Sequence, residues 1–121
     1  MQKIDKVKLA IVMPVYNEKN TILQIIQKVQ DTPFDKTIII VDDCSTDGSR
    51  EIIQNQITAP NIIKLYNEKN SGKGAALCKG FANVPDDCNI VIIQDADLEY
   101  DPEDYSILIK PIIDGYADVV Y

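Results

Sequence analysis

The chain has no histidine, only 12 Lys and Arg against 19 Asp and Glu, and three cysteines (Cys44, Cys78 and Cys88) with no CxxC pair among them. Without imidazoles or paired thiols, neither a zinc site nor a disulfide framework is expected, and the cysteines read as reduced thiols of a cytosolic protein. The net charge of −7 leaves no cationic surface to hold a nucleic-acid backbone. An anionic ligand would need local help from a divalent cation, a helix amino-terminus or a placed lysine such as Lys73. No apolar run approaches the roughly 18 residues of a membrane span. The start Met1-Gln2-Lys3-Ile4-Asp5-Lys6 is too polar for a signal peptide, so the expected location is cytoplasmic.

What is present suits one packed domain with room for one site: 121 residues, 45% hydrophobic and 26% charged. Short runs rich in Ile and Val at 9–13, 37–41, 62–66, 90–93 and 118–121 predict strands. Their apolar residues are consecutive, which suits a sheet covered on both faces. Between them, Ile22, Ile25, Ile26 and Val29 fall at helical spacing, with Asn20 as the expected cap. Asp47-Gly48-Ser49 opens a second predicted helix running to Gln56, and 72–82 reads as a third. Asp101-Pro102 starts a fourth, with Tyr105, Leu108, Ile109 and Ile112 as its buried stripe, Pro111 shortening it and Gly115 ending it. This alternation predicts an α/β domain with an open, mostly parallel, Rossmann-like sheet and helices on both faces. Ligands of such sheets bind beyond the carboxyl ends of the strands. Tyr-Asn-Glu-Lys-Asn occurs at 16–20 and again at 66–70, but without a sustained period it is not a structural repeat.

Four segments lie at that ligand edge. Pro14-Val15-Tyr16-Asn17-Glu18 carries a ring able to pack on a base or sugar and a carboxylate able to accept from ribose hydroxyls; a strand-to-helix turn with Glu18 at the helix start would also account for it. Val41-Asp42-Asp43-Cys44-Ser45-Thr46-Asp47-Gly48 sets two carboxylates side by side after a buried strand. Helix capping and a turn bond explain Asp47, Ser45 and Asp42 but leave Asp43 for a ligand. Asn70-Ser71-Gly72-Lys73-Gly74-Ala75-Ala76 puts a lysine at a helix start, a reasonable phosphate neighbour, although it is not a Walker A sequence. In 90–99, a hydrophobic strand leads to Asp95, Asp97 and Glu99 at alternate positions, which an extended backbone would point to one side. Three such oxygen donors suit Mg²⁺ or Mn²⁺, though an exposed acidic loop has the same composition.

Taken together these segments resemble the family 2 inverting glycosyltransferases of the GT-A fold. The likeness is to the branch of dolichyl-phosphate mannose synthase and the bacterial polyprenyl-phosphate glycosyltransferases. It rests on Pro14-Val15-Tyr16-Asn17-Glu18, on Val41-Asp42-Asp43 with Ser45, Asp47 and Gly48, on Gly72-Lys73-Gly74-Ala75-Ala76, and on Asp95-Ala96-Asp97-Leu98-Glu99-Tyr100-Asp101-Pro102, in the family's order. The resemblance implies a UDP- or GDP-sugar pocket formed by Pro14, Tyr16, Glu18, Val41 and Asp43, with Lys73, Asp95 and Ala96 near the ribose and diphosphate. It implies Mg²⁺ or Mn²⁺ held by Asp97, with Glu99 as a second ligand where some relatives have Gln. The implied reaction transfers a hexose, with inversion, to an acceptor such as a polyprenyl or dolichyl phosphate, and such an acceptor implies peripheral attachment at the cytosolic membrane face. The family's acceptor-binding residues lie beyond the Asp97 strand, so the chain reads as the amino-terminal, donor-binding part of a catalytic domain, and no catalytic base is identified. Two other readings are a donor-binding module without turnover and, remotely, a phosphoryl-accepting receiver domain with Asp42-Asp43 as its acidic pair and Asp95 as its acceptor.

Overall fold

The computed structural model describes residues 7–98 and 101–105. Four strands, β1 (Lys8–Val15), β2 (Asp35–Asp42), β3 (Ile62–Tyr66) and β4 (Ile90–Ile93), alternate with three helices, α1 (Ile22–Gln30), α2 (Ser49–Gln56) and α3 (Lys73–Ala82). The strands pair in the order β3-β2-β1-β4, all parallel. This order bears on the receiver reading, because receiver-type sheets place β1 between β2 and β3, whereas here β3 lies outside β2. A short 3-10 turn, Pro102–Asp104, begins where the fourth helix is predicted, with Asp101 accepting from the Glu103 amide at 3.0 Å. The rest of that helix, Pro111, Gly115 and the predicted strand at 118–121 lie outside the described residues.

Side-chain parity along the strands decides which layer each residue meets. Leu9, Ile11, Met13 and Val15 of β1, Ile38 and Ile40 of β2, and Ile90 and Ile92 of β4 pack with α1 and α2 in one core. Ala10, Val12, Ile39 and Val41 form a thinner core under α3, with Ala76. That second layer is tight because α3 comes close to the sheet: a Cβ on Gly80 would stand 2.5 Å from Val12 Cγ1, so only glycine fits. Two lysines close helix ends. Lys36 Nζ donates to the Thr32 carbonyl after α1 at 3.0 Å, and Lys64 Nζ donates to the Ile57 carbonyl after α2 at 2.9 Å. Both supply a cation where carbonyls are left over.

Local detail differs from the sequence reading in two places. The residue preceding α1 is Thr21 rather than Asn20, and its hydroxyl makes no cap bond; it donates to the Ala96 carbonyl at 2.6 Å. β4 stops at Ile93, and 96–97 form a turn followed by Leu98 at φ +66°. Asp95 and Asp97 are therefore not aligned by an extended backbone, and the turn at 96–97 sets their placement.

Candidate functional site

The strand order reverses between β1 and β4, and the loops leaving β1, β2 and β4 come together at the carboxyl ends of the strands, where ligands of such sheets bind. A cleft of about 410 Å³ lies there. Pro14, Tyr16 and Glu18 line it from the β1 loop, Asp43 from β2, Lys73 and Ala76 from α3, and Asp95, Ala96 and Asp97 from the β4 loop. Every donor-site residue implied by the family resemblance is thus gathered in one cleft except Val41 and Glu99. Val41 is completely buried under α3, since its parity points it into the second core. Glu99 lies outside the described residues.

The β1 wall is braced by the loop after β2. The Asn17 amide donates to Ser45 Oγ at 2.9 Å, and the Thr46 amide donates to Asn17 Oδ1 at 2.8 Å. The Glu18 amide donates to Ser49 Oγ at 2.9 Å, and that hydroxyl donates to Asp47 Oδ1 at 2.6 Å. Burial pushes the Asp47 carboxyl up, but bonds from the Ser49 hydroxyl and amide and the Lys19 amide outweigh it and hold it below its ordinary value. Ser45 and Asp47 are scaffold for the cleft. The wall presents Tyr16, 46% exposed, and the Glu18 carboxylate.

The adjacent carboxylates Asp42 and Asp43 point to opposite faces of the sheet, and each has its own partners. Asp42 accepts from Arg50 Nε at 2.8 Å and from Ser45 Oγ at 2.6 Å. Arg50 also donates to the Asn67 carbonyl at 2.6 Å and lies 5.2 Å over the Tyr66 ring. Asp43 accepts from Asn67 Nδ2 and the Ser71 amide at Oδ1 and from the Gly72 amide at Oδ2, all at 2.9 Å. Its burial raises the carboxyl pKa, yet these three donors more than offset it and leave it lowered. The sequence reading assigned Asp43 to a ligand because ordinary stability gave it no task. The task exists: Asp43 shapes the turn into α3, with Gly72 at φ +92°, and so sets where Lys73 begins.

Lys73 reaches across the cleft to Asp95, Nζ to Oδ1 2.8 Å, with the lysine side chain 58% and the aspartate 23% exposed. Parity places Asp95 on the α3 side, like Val91, and Gln94 on the opposite side, like Ile92. Asp97 is exposed at the cleft rim. Among the described residues no three Asp, Glu, Cys or His side chains converge on one point. Mg²⁺ and Mn²⁺ sites that lean on substrate phosphates and water need only one or two protein carboxylates, and Asp95 and Asp97 both line the cleft. Thr21, Arg50 and Asn67 went unnoticed in the sequence. Arg50 alone left a signal, as the one arginine among 12 basic residues, shortly after the acidic pair. Among the described residues no helix is long and apolar enough to cross a membrane.

Comparison with known proteins gives three findings. The family model for glycosyl transferase family 2 matches residues 10–121. An undecaprenyl-phosphate 4-deoxy-4-formamido-L-arabinose transferase of Yersinia enterocolitica is 35% identical over 129 aligned positions, covering 99% of this chain and 38% of the relative. The chain therefore spans well under half of that relative's length. Among solved structures, S. aureus TarS 1–349 in complex with UDP matches with a TM-score of 0.70 and 23% identity, over 85% of this chain and 32% of that one. The mannosyltransferase PcManGT from Pyrobaculum calidifontis, in complex with GDP-Man and Mn²⁺, matches with a TM-score of 0.66 and 24% identity, over 74% of this chain and 27% of the other. At these identities the structural likeness is one of fold.

Proposed function

The chain belongs to glycosyl transferase family 2 and has the GT-A fold, and on that premise we propose that it is the donor-binding part of a metal-dependent glycosyltransferase. The reaction is transfer of a hexose from a UDP- or GDP-sugar, with inversion, to an acceptor for which a polyprenyl phosphate is the leading candidate. Residues 1–121 constitute the nucleotide-sugar-binding unit. The observation that carries this reading is the convergence of Tyr16, Glu18, Asp43, Lys73, Asp95 and Asp97 on one cleft at the strand switch point. Tyr16 offers a face for the base, and Glu18 accepts from ribose hydroxyls. Lys73, at the first turn of α3, faces the diphosphate together with the amino-terminal end of the helix. Asp97 would hold Mg²⁺ or Mn²⁺ with Glu99 as a second ligand, and Asp95 and Ala96 would lie near the ribose and diphosphate. When bound, the metal supplies Lewis-acid neutralisation of the charge on the nucleoside diphosphate.

The acceptor assignment draws on the Yersinia relative's polyprenyl phosphate, and the nucleotide and metal on the UDP and GDP-Man/Mn²⁺ complexes of the structural neighbours. Isothermal titration of UDP and GDP, with and without Mn²⁺, tests the donor reading. Metal-dependent binding is expected, and Asp97→Ala should weaken it by about ten- to a hundredfold, the scale of losing a charged hydrogen-bonded or ligating group. Metal-independent binding, or an Asp97→Ala protein that matches the parent, would exclude it.

A further inference from the structure

We propose that Tyr105 and Gln94 form a staple that positions the Asp95-Ala96-Asp97 turn for its metal-binding work, so that Tyr105 is a positioning residue for the donor site although it lies outside the cleft. Gln94 is the first residue after β4, and its parity sends its side chain into the larger core, where Ile90 and Ile92 precede it. Tyr105 arrives there from the other end of the acidic segment, after the 3-10 turn capped by Asp101. Both residues are 1% exposed, and the Tyr105 hydroxyl donates to Gln94 Oε1 at 2.7 Å. Gln94 Nε2 in turn donates to the Asp95 carbonyl at 3.3 Å, while its own amide donates to the Val12 carbonyl of β1 at 3.0 Å. One residue, through its amide and its side chain, thus ties together the sheet, the turn that carries the carboxylates, and the segment that follows it.

Filling the core does not require this arrangement. Phenylalanine would occupy the same volume, and an apolar residue at 94 would continue the Ile90, Ile92 pattern without desolvating an amide and a phenol. Buried polar pairs are costly unless satisfied, and replacing both partners by apolar groups is often nearly neutral. What the pair adds is a fixed distance between the two ends of the carboxylate turn. Thr21, donating to the Ala96 carbonyl at 2.6 Å, holds the same turn from α1. Burial also pushes the Tyr105 hydroxyl far up from its ordinary pKa, so it stays a donor across the physiological range.

The inference rests on the donor-site reading above, and its test separates the two. In the intact protein, Tyr105→Phe removes only the hydroxyl. Hydrogen exchange at the amides of residues 95–98 should rise about tenfold while that of β1 and β2 holds, the scale expected when one buried acceptor loses its donor. In titrations with UDP and GDP, the metal-free affinity should be unchanged. The gain in affinity from Mn²⁺ should fall about ten- to a hundredfold, as when an outer partner of a metal ligand is lost. Should Tyr105→Phe fail to fold, Gln94→Met breaks the same bond from the other side. The double variant Gln94→Met/Tyr105→Phe should recover stability while the Mn²⁺-dependent gain stays lost. Unchanged exchange at 95–98, or a gain that returns together with stability in the double variant, overturns the staple. A parent protein without Mn²⁺-dependent nucleotide binding counts against the donor reading, and the exchange measurement then decides the staple alone.

Discussion

Replacing Lys73 by methionine keeps the length of the side chain and deletes its charge, which on the donor-site reading has two tasks of very different size. In the free protein Lys73 pairs with Asp95 at 2.8 Å, with the lysine more than half exposed. Such pairs contribute about 0.2–1 kcal/mol, so the variant should lose less than about 1 kcal/mol of unfolding free energy in urea. On the donor-site reading the same ammonium faces the diphosphate, where a charge-assisted hydrogen bond contributes about 1.5–3 kcal/mol. That predicts roughly a ten- to 150-fold weaker Kd for UDP or GDP in saturating Mn²⁺, read by isothermal titration. A third effect has the opposite sign: without Lys73 beside it, Asp95 carries more of its charge toward the cleft, so Mn²⁺ alone should bind more tightly. A nucleotide Kd within threefold of the parent, or a Mn²⁺ affinity that falls, would refute this account of Lys73.

Two further perturbations address the scaffold. Arg50→Met strands the fully buried Asp42 carboxylate; because Arg50 is partly exposed and Ser45 still donates to Asp42, the expected loss is about 2–3 kcal/mol, below the roughly 3–5 of a fully buried broken pair, and urea unfolding measures it. Asp43 and Asp47 both have carboxyl groups held below their ordinary values. Their contribution is therefore complete above the unfolded carboxylate range, near pH 4, and is lost as pH falls through the lowered folded values. A urea-midpoint series from pH 6 down to about 2 should show a steeper acid loss in the parent than in Asp43→Asn, and parallel curves would contradict the assignment.

The strands were legible because runs such as 38–41 and 90–93 are apolar on consecutive residues, which few other structures explain. Their ends were less so: β1 and β2 extend beyond 9–13 and 37–41 into Lys8, Pro14, Asp35 and Asp42, polar or proline residues whose ladder bonds the sheet supplies. The cleft residues were found through family resemblance and motif position, and most of them do converge. What could not be read was the division of labour among them. Asp43 looked idle because its partners, two backbone amides and Asn67, come from 67–72, far along the chain. The same holds for the pentapeptide at 16–20 and 66–70. Tyr16 opens into the cleft, whereas Tyr66 ends β3 under Arg50, a difference that only the neighbouring strand imposes.

The opposed partners of Asp42 and Asp43 also bear on how the sheet assembles. Sliding β2 by one residue against β1 would exchange the two faces. A slip in one direction would set Val41 against Arg50 and leave Asp42 before the amides of Ser71 and Gly72; a slip in the other would set Asp43 against Arg50 and Cys44 before those amides. Most of β2 is a near-uniform run of isoleucine and valine, which by itself distinguishes poorly between neighbouring alignments. The two consecutive acids act as an alignment key at its end: either one-residue slip leaves one layer without its carboxylate, and only the native frame serves the donors of both layers at once.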